Sequence, residues 1–292
     1  MKRWILGAFA AMVMLMAAGC SSVEKHPRIV ATTMPVYTFA SALCQNTPLQ
    51  LDQLVQESVS CLHDYTLTVK HMKLLESADL LIISGGGLED FLADAFPSNQ
   101  TVVDASKEIV LHCADDTHSH NHDHDHNDTD PHYWLSITNA KQMAHTICDG
   151  LKAAYPEYSQ IFDKNIANLD GKFTILQDYA SHEFSTLSCR DIITFHDGFS
   201  YMAEEFDLTI LQAIEEESGS EASAKDLIQI CNLVDAHALP AIFAEKNGSD
   251  RSANVICHET NAKLYYLDMA IAGENYFDAM YSNINTLKEA LG

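Results

Sequence analysis

The chain has 292 residues with 41 acidic and 17 basic side chains, so its formal net charge at pH 7 is −24. This length suits one large or two ordinary domains, and 47% hydrophobic residues are enough to build a buried core. The strong acidity argues against nucleic acid as a partner and against docking on an anionic membrane through a basic surface, whereas fifteen histidines leave the binding of cations open.

The N-terminus has the three regions of a secretory signal peptide. Two basic residues precede an apolar run over residues 4–18, which is shorter than the roughly 20 residues of a bilayer-spanning helix. Small residues then precede Cys20 in the order AAGCSS, which resembles a bacterial lipobox, where cleavage leaves the cysteine as the lipidated first residue. We therefore expect export, with a signal peptide over 1–19, a linker over 20–27 and a lipid anchor at the outer face of the cytoplasmic membrane. The alternative is an ordinary signal peptide and a periplasmic protein.

Short runs of branched apolar residues alternate with longer amphipathic stretches along the rest of the chain. Such runs, bounded by polar residues, are typical of buried parallel strands. They lie at 29–32, 80–83 and 101–103, and again at 192–195, 208–211, 241–244 and 264–267, with helical stretches such as 67–78 and 224–237 between them. This alternation predicts an α/β fold of two lobes, 28–157 and 188–292, each with a mainly parallel sheet flanked by helices.

The stretch between the two lobes has the periodicity of one long helix. Apolar residues recur at intervals of three and four from Phe162 to Ala180, which places them on one helical face. Gly171 weakens this pattern by about 1 kcal/mol relative to Ala but does not break it. We predict a single linking helix over 158–187, and the alternative is two ordinary helices with a turn near Gly171.

A loop over 115–129 is rich in histidine, aspartate and asparagine. Every second residue of its central part is a histidine, and the segment has no apolar residue to bury: His118, His120, His122, His124 and His126. Neutral imidazoles bind zinc, copper and nickel well, and the nearby carboxylates attract cations. We expect an auxiliary site that binds metal loosely, and the alternative is a solvated polar loop without a role.

Four further positions lie where the two lobes could share a cleft. His196 and Asp268 each directly follow a predicted strand, His132 follows the histidine-rich loop, and His63 lies between an apolar segment and a helix. Ligands of open parallel sheets bind outside the carboxyl ends of the strands, so two facing lobes would bring these residues into one site. Each histidine taken singly is more often a surface or hydrogen-bonded residue than a ligand.

Several motifs, which follow one another along the chain in the order expected for the family, resemble those of the zinc- and manganese-type solute-binding proteins of ABC importers. They are DPHYWLS at 130–136, FHDGF at 195–199, SGGGLED at 84–90 and YLD at 266–268, together with an acidic histidine-rich loop like that of the zinc-specific branch. The resemblance covers the whole mature chain. It implies two α/β lobes joined by a rigid helix, a metal ion held between them, delivery to a membrane permease, and a monomer that is not an enzyme.

The resemblance also implies a ligand set. It assigns His132, His196 and His63 as metal ligands, with Asp268 or a water in the fourth position. The residues before His63 depart from the family pattern, which leaves the geometry of that loop open. Three imidazoles suit Zn²⁺, whereas Mn²⁺ prefers carboxylate and water oxygens, so we predict zinc with manganese as the alternative. Glu245 is a candidate to support a ligand rather than to bind the metal.

Two other functional classes compete with transport. Three histidines and an open position also describe catalytic zinc, but HExxH is absent, and GxSxG and GxxxxGK[ST] do not occur. A zinc-dependent hydrolase is therefore the weaker interpretation. A metal-binding adhesin or storage lipoprotein would use the histidine-rich loop without a transporter, but it would not explain a cleft between two lobes.

Overall fold

Two four-stranded parallel sheets organise the chain. The computed structural model describes residues 26–56, 62, 65–96, 100–113, 129–215 and 222–292. The first sheet has the order β2-β1-β3-β4 and contains β1 (Arg28–Ala31), β2 (Gln50–Gln53), β3 (Leu80–Ile83) and β4 (Val102–Asp104). The second has the order β6-β5-β7-β8 and contains β5 (Asp191–His196), β6 (Thr209–Glu215), β7 (Ala241–Glu245) and β8 (Lys263–Leu267). All neighbouring strands run parallel.

Eight described α-helices connect and cover these strands. They are α1 (Met34–Leu43), α2 (Val69–Glu76), α3 (Ile137–Ala154), α4 (Ser159–Phe184), α5 (Ser200–Phe206), α6 (Ala224–His237), α7 (Arg251–Glu259) and α8 (Tyr276–Leu291). The predicted α/β class with two mainly parallel sheets is therefore confirmed. Among the helices in these ranges, none combines the length and the apolar character that a bilayer crossing requires.

The seven predicted strands are all present, and β1, β3 and β7 are short runs that are buried along nearly their whole length. Ile29, Val30 and Ala31 of β1, for example, are all completely buried. The eighth strand, β2, was not predicted. Its sequence QLDQ has one apolar residue and lies at the edge of the first sheet, where polar side chains reach solvent.

Helix α4 joins the two sheets as one continuous element of 26 residues, about 39 Å long. The predicted apolar face is buried throughout, from Phe162 to Ala180. Gly171 lies on the exposed face, where an added Cβ would contact nothing within 4 Å, so the alternative of two helices broken at Gly171 is wrong. Lobe boundaries at residues 157 and 187 stay a prediction.

The largest apolar cluster runs from the first sheet through α4 and α8 to the second sheet. It includes Phe39 of α1, Phe173 of α4 and Tyr276 of α8, whose rings pack against one another at centroid distances of 5.0 to 6.3 Å. Smaller clusters cover the outer faces of the two sheets. The two halves therefore share one core, which fixes where the carboxyl ends of their strands lie.

Six described cysteines are free thiols: Cys44, Cys113, Cys148, Cys189, Cys231 and Cys257. Burial raises the pKa of Cys44 to about 12 and that of Cys148 to about 11, so both are inert thiols in the core.

Candidate metal centre

His132 is completely buried between the two sheets and is held by Asp130. Its Nδ1 lies 2.8 Å from Asp130 Oδ1, and its backbone N–H donates to the same oxygen at 2.9 Å. The short 3₁₀ turn Tyr133–Leu135 follows directly and leads into α3. Because Nδ1 is occupied by the carboxylate, Nε2 is the nitrogen of this imidazole that can bind a metal.

His196, at the end of a strand of the second sheet, is likewise held by a carboxylate at its Nδ1. It is the last residue of β5, and Glu245 is the last residue of the neighbouring parallel strand β7, so their side chains emerge at the same edge of the second sheet. Glu245 Oε1 lies 2.7 Å from His196 Nδ1. Both residues are buried, and the carboxylate again leaves Nε2 as the nitrogen that can bind a metal.

The two Nε2 atoms converge from the two halves and lie 3.3 Å apart. The ring planes are nearly perpendicular, at 89°, with centroids 4.9 Å apart. Two nitrogens bound to one tetrahedral zinc, with bonds of about 2.0–2.1 Å, are also roughly 3.3 Å apart. The spacing therefore fits one metal ion shared by His132 and His196, each backed by a carboxylate that fixes the ring.

Asp130 remains ionised in this buried position. Burial disfavours its charged form, but the hydrogen bonds and electrostatic interaction with His132 and the hydrogen bond from Ser200 outweigh burial and hold the pKa of Asp130 below its usual value. A negative charge directly behind the imidazole strengthens it as a ligand for a cation.

No described contact links the other two predicted ligands, His63 and Asp268, to His132 or His196. His63 lies outside the described residues. Asp268 is at the carboxyl end of β8 as predicted, but its Oδ2 lies 3.2 Å from Lys246 Nζ and its Oδ1 accepts the backbone N–H of Ala270. In the part of the chain that the structure describes, no group of three potential His, Cys, Asp or Glu ligands is assembled.

The flanks of the histidine-rich loop lie beside the site. His118 to His126 are outside the described residues, but the backbone N–H of Asp130 donates to the carbonyl of His112 at 3.0 Å, and Cys113 forms an antiparallel bridge with Thr129. The described chain on either side of the loop is thus closed into a short stem, two residues before His132.

Glu89, which the sequence singles out only as part of SGGGLED, holds a further turn beside the site. Gly85, Gly86 and Gly87 have φ angles of +77°, +66° and +89°, a left-handed turn that favours glycine. Glu89 is buried and accepts the backbone N–H of Ser84 at 2.7 Å and that of Gly85 at 2.9 Å. The Tyr133 hydroxyl donates to the Ser84 carbonyl, so this turn supports the residue next to His132.

We predict that Asp130→Asn weakens metal binding by roughly 10- to 100-fold, as loss of a carboxylate behind a ligand histidine typically does. The amide keeps the shape of the side chain but loses the charge that strengthens and orients His132. Competitive titration against a chromogenic chelator measures the change, with Asp235→Asn on the exposed face of α6 as the control. Equal affinities for Asp130→Asn and the wild type would contradict this role.

Two parallel-sheet halves joined by one long helix, with carboxylate-backed histidines converging between them, define a metal-binding, solute-binding protein of the ABC-importer class. The chain belongs to the family described as zinc-uptake complex component A, periplasmic, whose sequence model matches residues 29–290. This family has a transport role and is not enzymatic, as the sequence predicted.

Relatives of similar sequence are also named as metal-binding proteins. A Treponema pallidum (strain Nichols) protein, named provisionally for metal binding, is 28% identical over 311 residues, which cover 99% of this chain and 97% of that protein. The zinc-binding lipoprotein AdcA of Streptococcus pneumoniae serotype 4 is 25% identical, over 98% of this chain and 60% of AdcA. This chain thus spans only part of AdcA's length.

Solved structures share the fold. The crystal structure of ZnuA is 22% identical, covers 92% of this chain and 100% of that chain, and has a TM-score of 0.81. A mutant form of the Mn-bound periplasmic metal-binding protein of Candidatus Liberibacter asiaticus has a TM-score of 0.79 at 20% identity and covers 91% of this chain and 100% of that chain. Another solved structure, the solute-binding protein FpvC of P. aeruginosa with Ni²⁺, has a TM-score of 0.77 at 21% identity and covers 91% of this chain and 97% of that chain. Structures with this fold therefore include both Ni²⁺ and Mn²⁺ complexes, and the fold alone does not determine the metal.

Proposed function

We propose that this protein captures Zn²⁺ outside the cytoplasm and delivers it to the permease of an ABC importer. The observation that carries the proposal is the 3.3 Å separation of the His132 and His196 Nε2 atoms, each imidazole with a carboxylate at its other nitrogen. Imidazole nitrogen suits zinc, whereas Mn²⁺ prefers a site made of carboxylate, carbonyl and water oxygens.

His63 is the proposed third ligand, and Asp268 or a water molecule is the proposed fourth. The Lys246 ammonium, 60% exposed, pairs with Asp268, so binding through Asp268 would exchange one cation for another. A water in that position would leave the ion pair intact. Mutation of Asp268 to Asn separates these alternatives, because it lowers affinity strongly if Asp268 binds the metal and has little effect if Asp268 only pairs with Lys246.

We also propose roles for the N-terminal segment and for the histidine-rich loop. Lipidated Cys20 would tether the protein at the outer face of the membrane, near the permease. The histidines from His118 to His126 would collect metal weakly, next to a stem that leads directly into Asp130 and His132. Acidic side chains of the loop would attract the cation.

Competition among metals tests the proposed function. The metal-stripped protein is titrated with Zn²⁺, Mn²⁺ and Ni²⁺ in the presence of a competing chelator. One tight equivalent with zinc favoured by at least roughly 100-fold over manganese supports the proposal, because imidazole ligands discriminate in this direction. A tight manganese site of equal or greater affinity would assign the protein to the manganese-binding alternative.

Deletion of residues 118–126 tests the division between the two sites. We propose that the deletion variant keeps one tight equivalent and loses only the additional weak ones, since the tight site is built from residues outside the loop. Loss of the tight equivalent in the deletion variant would contradict this division.

A further inference from the structure

Helix α5, which follows β5 of the second sheet, contacts Asp130, the residue that holds His132. The Ser200 hydroxyl donates to Asp130 Oδ2 at 2.6 Å, while Asp130 Oδ1 is the oxygen that contacts His132. The Tyr201 hydroxyl donates to the backbone carbonyl of Asp130 at 2.7 Å. Both the carboxylate and the main chain of Asp130 are therefore fixed by side chains that belong to the other half of the molecule.

The stem residue His112 contacts the same helix. Its backbone N–H donates to the Tyr201 hydroxyl at 2.8 Å, and its ring stacks on Tyr201 with centroids 3.9 Å apart and planes within 10°. The ring also lies 3.1 Å from Ser200 Oγ and 2.8 Å from a Glu204 carboxylate oxygen. Burial raises the pKa of Tyr201 to about 12, so its hydroxyl remains protonated and able to donate.

A separate contact of α5 reaches the first half without touching Asp130. The Glu205 carboxylate accepts the backbone N–H groups of Ile137 and Thr138, at 2.6 and 3.1 Å, and caps the N-terminus of α3. Helix α5 therefore makes two kinds of contact across the cleft, one through Asp130 to a ligand and one to the end of a helix. The two contacts can be removed separately.

We propose that Ser200 and Tyr201 are positioning residues for metal capture, which act through Asp130 so that His132 is oriented for binding only while the two halves are in this arrangement. Since α5 begins four residues after His196 on the same segment of chain, one element then sets the relative placement of both ligands. Metal affinity is thereby coupled to contact between the halves. This inference rests on the proposed metal site at His132 and His196.

A double-mutant cycle tests the coupling. We expect Ser200→Ala to lower zinc affinity about 10-fold, Ser200→Thr to restore it because the hydroxyl is kept, and Tyr201→Phe to lower it about as much as Ser200→Ala. In the Asp130→Asn background, Ser200→Ala should have little further effect, because the residue it acts through is already altered. Thermal unfolding of each variant checks that the fold is retained.

Glu205→Gln is the matched control, because it weakens a contact of the same helix with the first half but leaves Asp130 untouched. We expect it to lower the melting temperature while zinc affinity and the visible absorption of the Co²⁺-substituted protein stay as in the wild type. Ser200→Ala should change that absorption, since it alters the geometry of a ligand.

Three results would overturn this inference: unchanged affinity in both Ser200→Ala and Tyr201→Phe, additive effects of Ser200→Ala and Asp130→Asn, or an equal loss in Glu205→Gln. Failure of the underlying metal site is distinguishable, because His132→Ala would then bind zinc as tightly as the wild type. If His132→Ala loses the tight site and Ser200→Ala does not weaken it, only the positioning role is wrong.

Discussion

Replacing Gly198 by Ala should weaken metal binding by roughly 10- to 100-fold while the protein stays folded, an effect comparable to loss of a residue that orients a ligand. A Cβ at this position would lie 2.7 Å from His196 Cδ2, 2.9 Å from His132 Nδ1 and 2.6 Å from Met269 Cε. The Met269 methyl group can move aside. The two imidazoles are each held by a carboxylate, so the added methyl group must displace the ligands themselves.

Gly171→Ala is the matched control for Gly198→Ala. It adds the same methyl group on the exposed face of α4, where nothing lies within 4 Å, and should stabilise the helix by up to about 1 kcal/mol without changing affinity. Competitive zinc titration and thermal unfolding of both variants measure the two effects. Wild-type affinity in Gly198→Ala, or an equal loss in Gly171→Ala, would show that the space between the two histidines is not where the metal binds.

Replacing Glu89 by Ala should destabilise the fold by about 3 kcal/mol near pH 5. The substitution leaves the buried backbone N–H groups of Ser84 and Gly85 without their acceptor, and each orphaned donor costs about 1–3 kcal/mol. The Thr32 hydroxyl, which donates to Glu89 Oε1 at 2.6 Å, loses its acceptor as well. Chemical denaturation measures the free energy of unfolding.

This destabilisation should depend on pH in one direction. Burial raises the pKa of Glu89 to about 7 from an ordinary value of 4.5, so the folded state binds its proton more tightly than the unfolded state. The stability that this proton provides is complete below about pH 4.5 and is lost as pH rises toward 7. The gap between the wild type and Glu89→Ala should therefore narrow from pH 5 to pH 8.

Exposed Glu108→Ala provides the control for Glu89→Ala and should change stability by less than about 0.5 kcal/mol at every pH. A gap between the wild type and Glu89→Ala that does not narrow between pH 5 and pH 8 would mean that Glu89 is ionised over this whole range and stabilised by its hydrogen bonds. A negligible gap at pH 5 would mean that the turn at Gly85 to Gly87 holds without this carboxylate.

The elements of the fold could be predicted because they depend on local pattern. Strands such as Leu80–Ile83 are apolar on both faces, and the face of α4 from Phe162 to Ala180 keeps a helical period over its whole length. Strand β2 was not predicted, because an edge strand does not need to be apolar on both faces. Its position is fixed by pairing with β1, which lies far away in the sequence.

The site could be predicted only in part. The rule that ligands bind at the carboxyl ends of parallel strands pointed to His196, which ends β5, and Glu245 ends the adjacent strand. The sequence did not reveal that Asp130 and Ser200 form a chain behind His132, because they lie 70 residues apart and meet only once the halves pack together. Nor could it show Lys246 beside Asp268, since that pair depends on side-chain geometry.

Calorimetric titration of zinc into the metal-stripped His132→Ala/His196→Ala double variant tests the central claim most directly. Zinc sites of proteins contribute about 10–16 kcal/mol in all, so removing two ligands should lower affinity by at least roughly 1,000-fold. His145→Ala/His258→Ala removes two partly or largely exposed histidines and serves as the control. We predict one tight equivalent in the wild type and in the control, and none in the double variant. A tight equivalent that survives in the His132→Ala/His196→Ala protein would contradict the account.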